Sequence, residues 1–212
     1  MGQVTNSVES RLASALGRRD EQPNIQLAED LARSGNSDSV QELVAILASG
    51  KGPAKSDAIK VLYEVGQRDP SLIVDHTDPL LGLLEARNNR LVWGALTALA
   101  HICQIAPDRI FTHLEAILAA ADKGSVIAKD QAFAILIILA GRERYADRVI
   151  PIILSWLNSA AINQLPMYAE QAARAMPAES RSAFRTVLES RLNDEMRPSK
   201  RKRIETVLRR LG

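Results

Sequence analysis

Few side chains in this sequence are suited to chemistry, and they are widely spread. Three histidines, one cysteine and two tryptophans are present. His76 and His113 stand 37 positions apart, with Asp75, Asp78 and Glu115 close by. Two imidazoles and a carboxylate are ligand types for a divalent ion. However, no His-x-x-x-His or Glu-x-x-His spacing sets two of them on one helix face. Both histidines read as solvated side chains at helix starts, and no metal site is expected. His101, beside Ala100 and Ile102, reads as a partly buried structural histidine. Cys103 has no base close in sequence to lower its pKa, so a packed, inert thiol is expected. As the sole cysteine it can form no internal disulfide. Nucleotide-binding loops are absent too: Gly50-Lys51-Gly52 is a tight turn without the rest of a phosphate cradle. These residues point to no catalytic group and no cofactor.

Charge offers a second kind of chemistry. The formal net charge of +2 is a cancellation. From Arg197 onward there are seven bases (Arg197, Lys200, Arg201, Lys202, Arg203, Arg209 and Arg210) against one acid, Glu205. The preceding 196 residues hold 20 bases and 24 acids. Three readings fit this basic end: a solvated cap, a contact with nucleic acid or another polyanion, or docking onto the acidic body of the same chain. A membrane-surface role fits less well, because the apolar face of that segment offers Ile, Val and Leu but no Trp or Phe.

What must position these groups is helical. There are 30 Ala and 26 Leu against 8 aromatics, and Ala and Leu are the strongest helix formers, while sheets favour β-branched and aromatic side chains. Sliding the chain by 37 residues brings its apolar positions into register. Leu43, Val44, Ile46 and Leu47 fall on Leu80, Leu81, Leu83 and Leu84, then on Ile117, Leu118, Ala120 and Ala121. Ala58, Ile59, Leu62 and Val65 fall on Ala95, Leu96, Leu99 and Ile102, then on Ala132, Phe133, Leu136 and Leu139. A weaker fourth copy runs through Leu154, Leu157, Ala169, Ala173 and Met176. The i, i+3, i+4, i+7 spacing is that of amphipathic helices, so each unit is a helix pair. Prolines at 79 and 107 and cap residues at Asn36 and Ser125 mark helix starts. Residues 1–36 are expected to form an N-terminal helical cap, with stripes at Val8, Leu12, Leu16 and at Ile25, Ala28, Leu31, Ala32. Residues 37–177 carry about four pairs, and residues 178–212 a C-terminal helical cap whose last helix is basic.

Three segments give a family resemblance. Ala54-Lys55-Ser56-Asp57-Ala58-Ile59-Lys60-Val61-Leu62 and Ala128-Lys129-Asp130-Gln131-Ala132-Phe133-Ala134-Ile135-Leu136 resemble the second helix of HEAT repeats. Ile150-Pro151-Ile152-Ile153-Leu154-Ser155-Trp156-Leu157 is similar to that family's first helix. The resemblance implies an all-α fold, an α-α superhelix in which each pair contacts mainly its neighbours. It departs from the family where arginine is common, holding Lys55, Val92, Lys129 and Pro166. The alkylpurine DNA glycosylases built on HEAT-like repeats resemble the chain in fold and length. In those enzymes a catalytic aspartate follows a tryptophan by one turn. Here Thr97 stands at that spacing from Trp93 and cannot carry the charge, so an enzyme of this kind is the weakest reading.

In such a solenoid the second helices line the concave face. The candidates for contacting a partner are Tyr63, Trp93, Thr97, His101, Asp130, Tyr168 and Arg174. Aromatic anchors of the type of Trp93 dominate interfaces, but a bulky ring at the edge of a stripe can equally be core. Ile135, Ile137 and Ile138 make the third second-helix apolar nearly all round. That predicts a further element over Ile137 and Ile138: a terminal helix, a second protomer or a bound peptide. The expected work is non-catalytic binding of a protein or peptide, with nucleic-acid contact through the basic end as the alternative. The longest apolar run, Ala132–Ala140, is far short of the ~20 residues that span a bilayer. With no signal-like segment at the start, a cytoplasmic location is expected.

Overall fold

The computed structural model describes residues 7–211; the first six residues of the expected N-terminal cap, and Gly212, lie outside that range. No strand occurs among the described residues. The α-helices in chain order are α1 (Gln22–Ser34), α2 (Ser37–Ser49), α3 (Gly52–Arg68), α4 (Thr77–Gly82), α5 (Asn89–Ile105) and α6 (Pro107–Thr112). They continue with α7 (Leu114–Lys123), α8 (Val126–Ala140), α9 (Glu143–Ser159), α10 (Leu165–Ala175), α11 (Arg181–Arg191) and α12 (Pro198–Arg210). The chain divides into two compact units, one ending at Ala132 and the other beginning at Phe133.

Local signals explain the helix ends. The Asn36 side chain accepts the Ser39 N–H at 2.9 Å to start α2, and Asn88 accepts the Arg90 N–H at 2.9 Å to start α5. The Ser125 hydroxyl accepts the Ala128 N–H at 3.3 Å at the start of α8. Each satisfies a backbone donor that the first helical turn leaves open. Gly35 ends α1 in the left-handed region, at φ 64°, where its N–H bonds the Leu31 carbonyl; a side chain there would be strained.

In the first unit α1, α3 and α5 lie side by side, with α2 packed against α3 and α4 against α5. The core follows the stripes: Leu43, Ala58, Ile59, Leu62, Val65, Ala95, Leu96, Leu99 and Ile102 are fully buried. Each large side chain so buried contributes about 1.5–3 kcal/mol relative to exposure. α3 and α5 approach closely at Gly94, where a β-carbon would stand 2.7 Å from Cγ1 of Ile59. Cys103 is fully buried, as a packed thiol would be.

One expectation needs correction in this unit. The stripe at Val8, Leu12 and Leu16 does not form a helix: only a short 3-10 turn at Val8–Arg11 appears, Leu12 is extended, and Leu16 is 55% exposed. The cause is a competing set of acceptors. The Ala13 N–H donates to Oδ1 of Asn24 at 3.0 Å and the Ser14 N–H to Oδ2 of Asp57 at 2.7 Å. In a continued helix those donors would serve the carbonyls of Glu9 and Ser10. Pro107 opens α6, and His113 leaves helical geometry at φ −107°, ψ 13° just before α7 begins, at a helix start as its sequence context suggests.

In the second unit α10 packs against α12, and α11 against α9. Phe133 is fully buried, with its ring centroid 4.3 Å from Tyr168 and 5.9 Å from Trp156. The end of α9 is closed by Arg191 from α11. Its guanidinium donates to the carbonyls of Leu157 at 2.6 Å, Asn158 at 2.9 Å and Ala160 at 2.8 Å. A cation at the negative end of a helix dipole satisfies carbonyls that have no partner within the helix. Ile135 is buried, while Ile137 and Ile138 are half-buried.

Candidate functional site

Tyr63 on α3 and Trp93 on α5 stand together, their ring centroids 5.7 Å apart and tilted by 49°. Both are half-buried. Each ring carries a cation: Nζ of Lys60 lies 4.8 Å from the Tyr63 centroid, and the Arg90 guanidinium 5.9 Å from that of Trp93. A cation over an aromatic face is held by the ring quadrupole, more strongly where water is excluded.

The charges on this face are matched. Lys60 donates to Glu64 at 2.6 Å, and Arg68 to Glu64 at 2.5 Å and to Glu29 at 3.2 Å, so a chain of ion pairs runs from α3 to α1. Arg90 pairs with Glu21, just before α1, and its Nε donates to the Ser56 carbonyl at 3.4 Å. Burial opposes the charge on both Lys60 and Glu64. It is the largest single influence on each, but the partners together outweigh it: Glu64 and Tyr63 raise the Lys60 ammonium above its ordinary value, and Lys60 with Arg68 draws the Glu64 carboxyl below its own. The result is an aromatic pair framed by ion pairs that carry little net charge.

His101 completes the face from α5. Burial is the leading influence on its imidazole and lowers its pKa below the ordinary 6.5, while the nearby charge of Glu64 acts the other way. The unfolded chain therefore takes up this proton at higher pH than the folded one. Stability falls as pH drops through 6.5, and the loss is complete only once the folded imidazole itself protonates. His101→Gln should flatten this slope. Urea midpoints measured between about pH 7 and 5 check it, and a slope equal to the parent's would assign the titration to other groups.

Of the residues named from the sequence, Tyr63, Trp93, Thr97 and His101 share the α3–α5 region. The Thr97 hydroxyl is engaged within its own helix, donating to the Trp93 carbonyl at 2.8 Å. Asp130 is half-buried on α8. Tyr168 is corrected: it is 2% exposed and packs on Phe133, so its ring is core and cannot anchor a partner. Its position at the edge of an Ala-rich stripe allowed either role. Arg174 is exposed on α10, beside α12.

The framing groups Lys60, Glu64, Arg90 and Glu21 were absent from the sequence expectation. The i, i+4 spacing of Lys60 and Glu64 was a readable signal; the Arg90–Glu21 pair spans 69 positions and was not. At the basic end, Arg203 makes a two-pronged bond to Glu170 at 2.7 and 2.6 Å, and Lys200 bonds Asn163. Arg209 donates to the Thr206 hydroxyl at 3.0 Å within α12. Arg197, Lys202 and Arg210 are exposed, and Arg201 is half-buried. Among the described residues no three His, Cys, Asp or Glu side chains group to hold a metal ion, and no helix is long and apolar enough to cross a membrane.

No protein-family model matches the chain, and no curated protein matches it. Solved structures do. A designed armadillo repeat protein in complex with the peptide (KR)4 is similar at a TM-score of 0.64 and 15% identity, over 100% of each chain. A computationally designed armadillo repeat protein for modular peptide recognition gives 0.59 and 16%, covering 97% of this chain and 98% of that one. An engineered protein gives 0.62 and 19%, covering 98% and 97%. At these identities the likeness concerns fold alone: the chain has an all-α helical-repeat fold like that of these armadillo repeat structures.

Proposed function

We propose that this chain is a non-catalytic scaffold that binds a peptide segment of a partner protein on the α3–α5 face. The observation that carries the reading is the half-buried Tyr63–Trp93 pair, held by cations whose charge is already matched by Glu64 and Glu21. Rigid aromatic rings with a neutralised polar frame are the make-up of an interface anchor. The peptide recognition named for the designed repeat proteins of similar fold supports the same reading.

The test is selection of peptides from a random library on the full chain, followed by titration against Trp93→Ala. Selected peptides should quench the fluorescence of Trp93 in a Trp156→Phe background. Their affinity for Trp93→Ala should fall by roughly tenfold or more. Peptides that bind both forms equally, or a library that yields none, would remove the face from consideration.

A further inference from the structure

The second unit holds a cleft of about 520 Å³ between α10, the start of α11 and α12. Its walls carry Arg174 from α10, Arg181 from α11, and Lys202, Arg203 and Arg210 from α12, against one acid, Glu170. Arg203 is engaged by Glu170 through both prongs. Arg174, Arg181, Lys202 and Arg210 are exposed, and their side chains make no hydrogen bond or close ion pair among the described residues. On the α3–α5 face, by contrast, Lys60, Arg68 and Arg90 each have an acidic partner.

Arg174 and Arg210 act on the Glu170 carboxyl only at a distance, helping Arg203 to lower its pKa. Four cations with no hydrogen-bonded partner, gathered around one acid, leave an excess of positive charge that focuses a positive potential into the concavity. An incoming anion relieves that excess. Three of the four are arginines, whose planar forks fit carboxylates two bonds at a time. The pair formed by Arg203 and Glu170 is an example of that geometry inside the same cleft.

The chemistry of the lining narrows the ligand. Ala173 and Val207 give the cleft apolar surface, and no aromatic ring is among its lining residues. Binding of single-stranded nucleic acid relies on rings for base stacking, and a duplex presents its phosphates along an extended track. Cations drawn from three helices around a pocket with apolar patches suit side chains bearing carboxylates.

We propose that the α10–α11–α12 cleft is a docking site for an acidic peptide segment, a run of Asp and Glu side chains from a partner protein. Arg174 and Arg181 receive it from one side, and Lys202 and Arg210 from α12. Glu170 holds Arg203 in place through both prongs.

The probe is a short fluorescently labelled peptide of alternating Asp and Glu, titrated into the full chain by anisotropy. Binding should weaken as salt is added. Arg210→Glu on α12 and Arg174→Glu on α10 should each lower affinity roughly tenfold or more. Arg209→Glu is adjacent in sequence but outside the cleft, and should change affinity by no more than about twofold. Because all three side chains are exposed, each variant should keep the parent's circular dichroism and denaturation midpoint.

Three results would overturn the proposal: no binding, equal losses for Arg209→Glu and Arg210→Glu, or mixed-sequence single-stranded DNA that binds more tightly and displaces the peptide. Trp93→Ala leaves the cleft intact, so this outcome is independent of the reading for the α3–α5 face.

Discussion

Phe133→Ala should lower the stability of the chain by about 3–5 kcal/mol. Phe133 is among the largest fully buried side chains. Its ring contacts both Tyr168 and Trp156, whose own centroids are 6.4 Å apart, edge to face. Removing the ring takes away its transfer energy and leaves a void between two large rings that cannot both swing inward. Phe133→Leu retains most of the volume and should cost roughly 1.5 kcal/mol or less. Guanidinium denaturation of the three proteins gives the comparison. A loss below about 1 kcal/mol for the alanine variant would mean that the neighbouring rings collapse into the space.

Asp57→Ala should cost about 2–4 kcal/mol, because hydrogen bonds to charged groups are worth more than neutral ones and the buried Asn24 amide would be left unmet. One carboxylate oxygen accepts the Asn24 amide at 2.8 Å and the other the Ser14 N–H at 2.7 Å. Asn24 is fully buried and in turn holds the Ala13 N–H. The three groups form a bolt between the N-terminal segment, α1 and α3. Asp57→Asn keeps one acceptor oxygen and should lose about half as much. Limited proteolysis supplies a second readout: cleavage in the segment before α1 should quicken in the alanine variant. Unchanged cleavage together with an unchanged denaturation midpoint would show that this segment does not depend on Asp57.

Much of the architecture could be read from the residue pattern because the stripes at Ile59, Leu62, Val65 and at Leu96, Leu99, Ile102 are both periodic and buried. Asn36 and Ser125 were readable as caps for the same local reason. The N-terminal segment was not, since its donors go to Asn24 and Asp57, which lie 11 and 43 positions further along. No periodicity in Val8, Leu12 and Leu16 reports that competition. Tyr63 and Trp93 were both placed on the face lined by the second helices, so their meeting was partly legible. Tyr168 was misread because helical spacing cannot say which side of a stripe's edge a second ring will cover. The link of Arg174 and Arg181 with α12 was hidden for another reason: it depends on α10 packing against α12, fixed by Glu170 and Arg203, 33 positions apart.

The close approach at Gly94 bears on recognition. Gly94 is the residue after Trp93, and it lies against Ile59, one position before Lys60. The two residues that set the gap between α3 and α5 are thus chain neighbours of Trp93 and of the buried Lys60, whose ammonium lies over the Tyr63 ring. A methyl group added at Gly94 would touch no ligand, yet it would wedge the helices apart and widen the ring pair above it. The calibre of the outer surface is set from beneath, by the smallest side chain in the row.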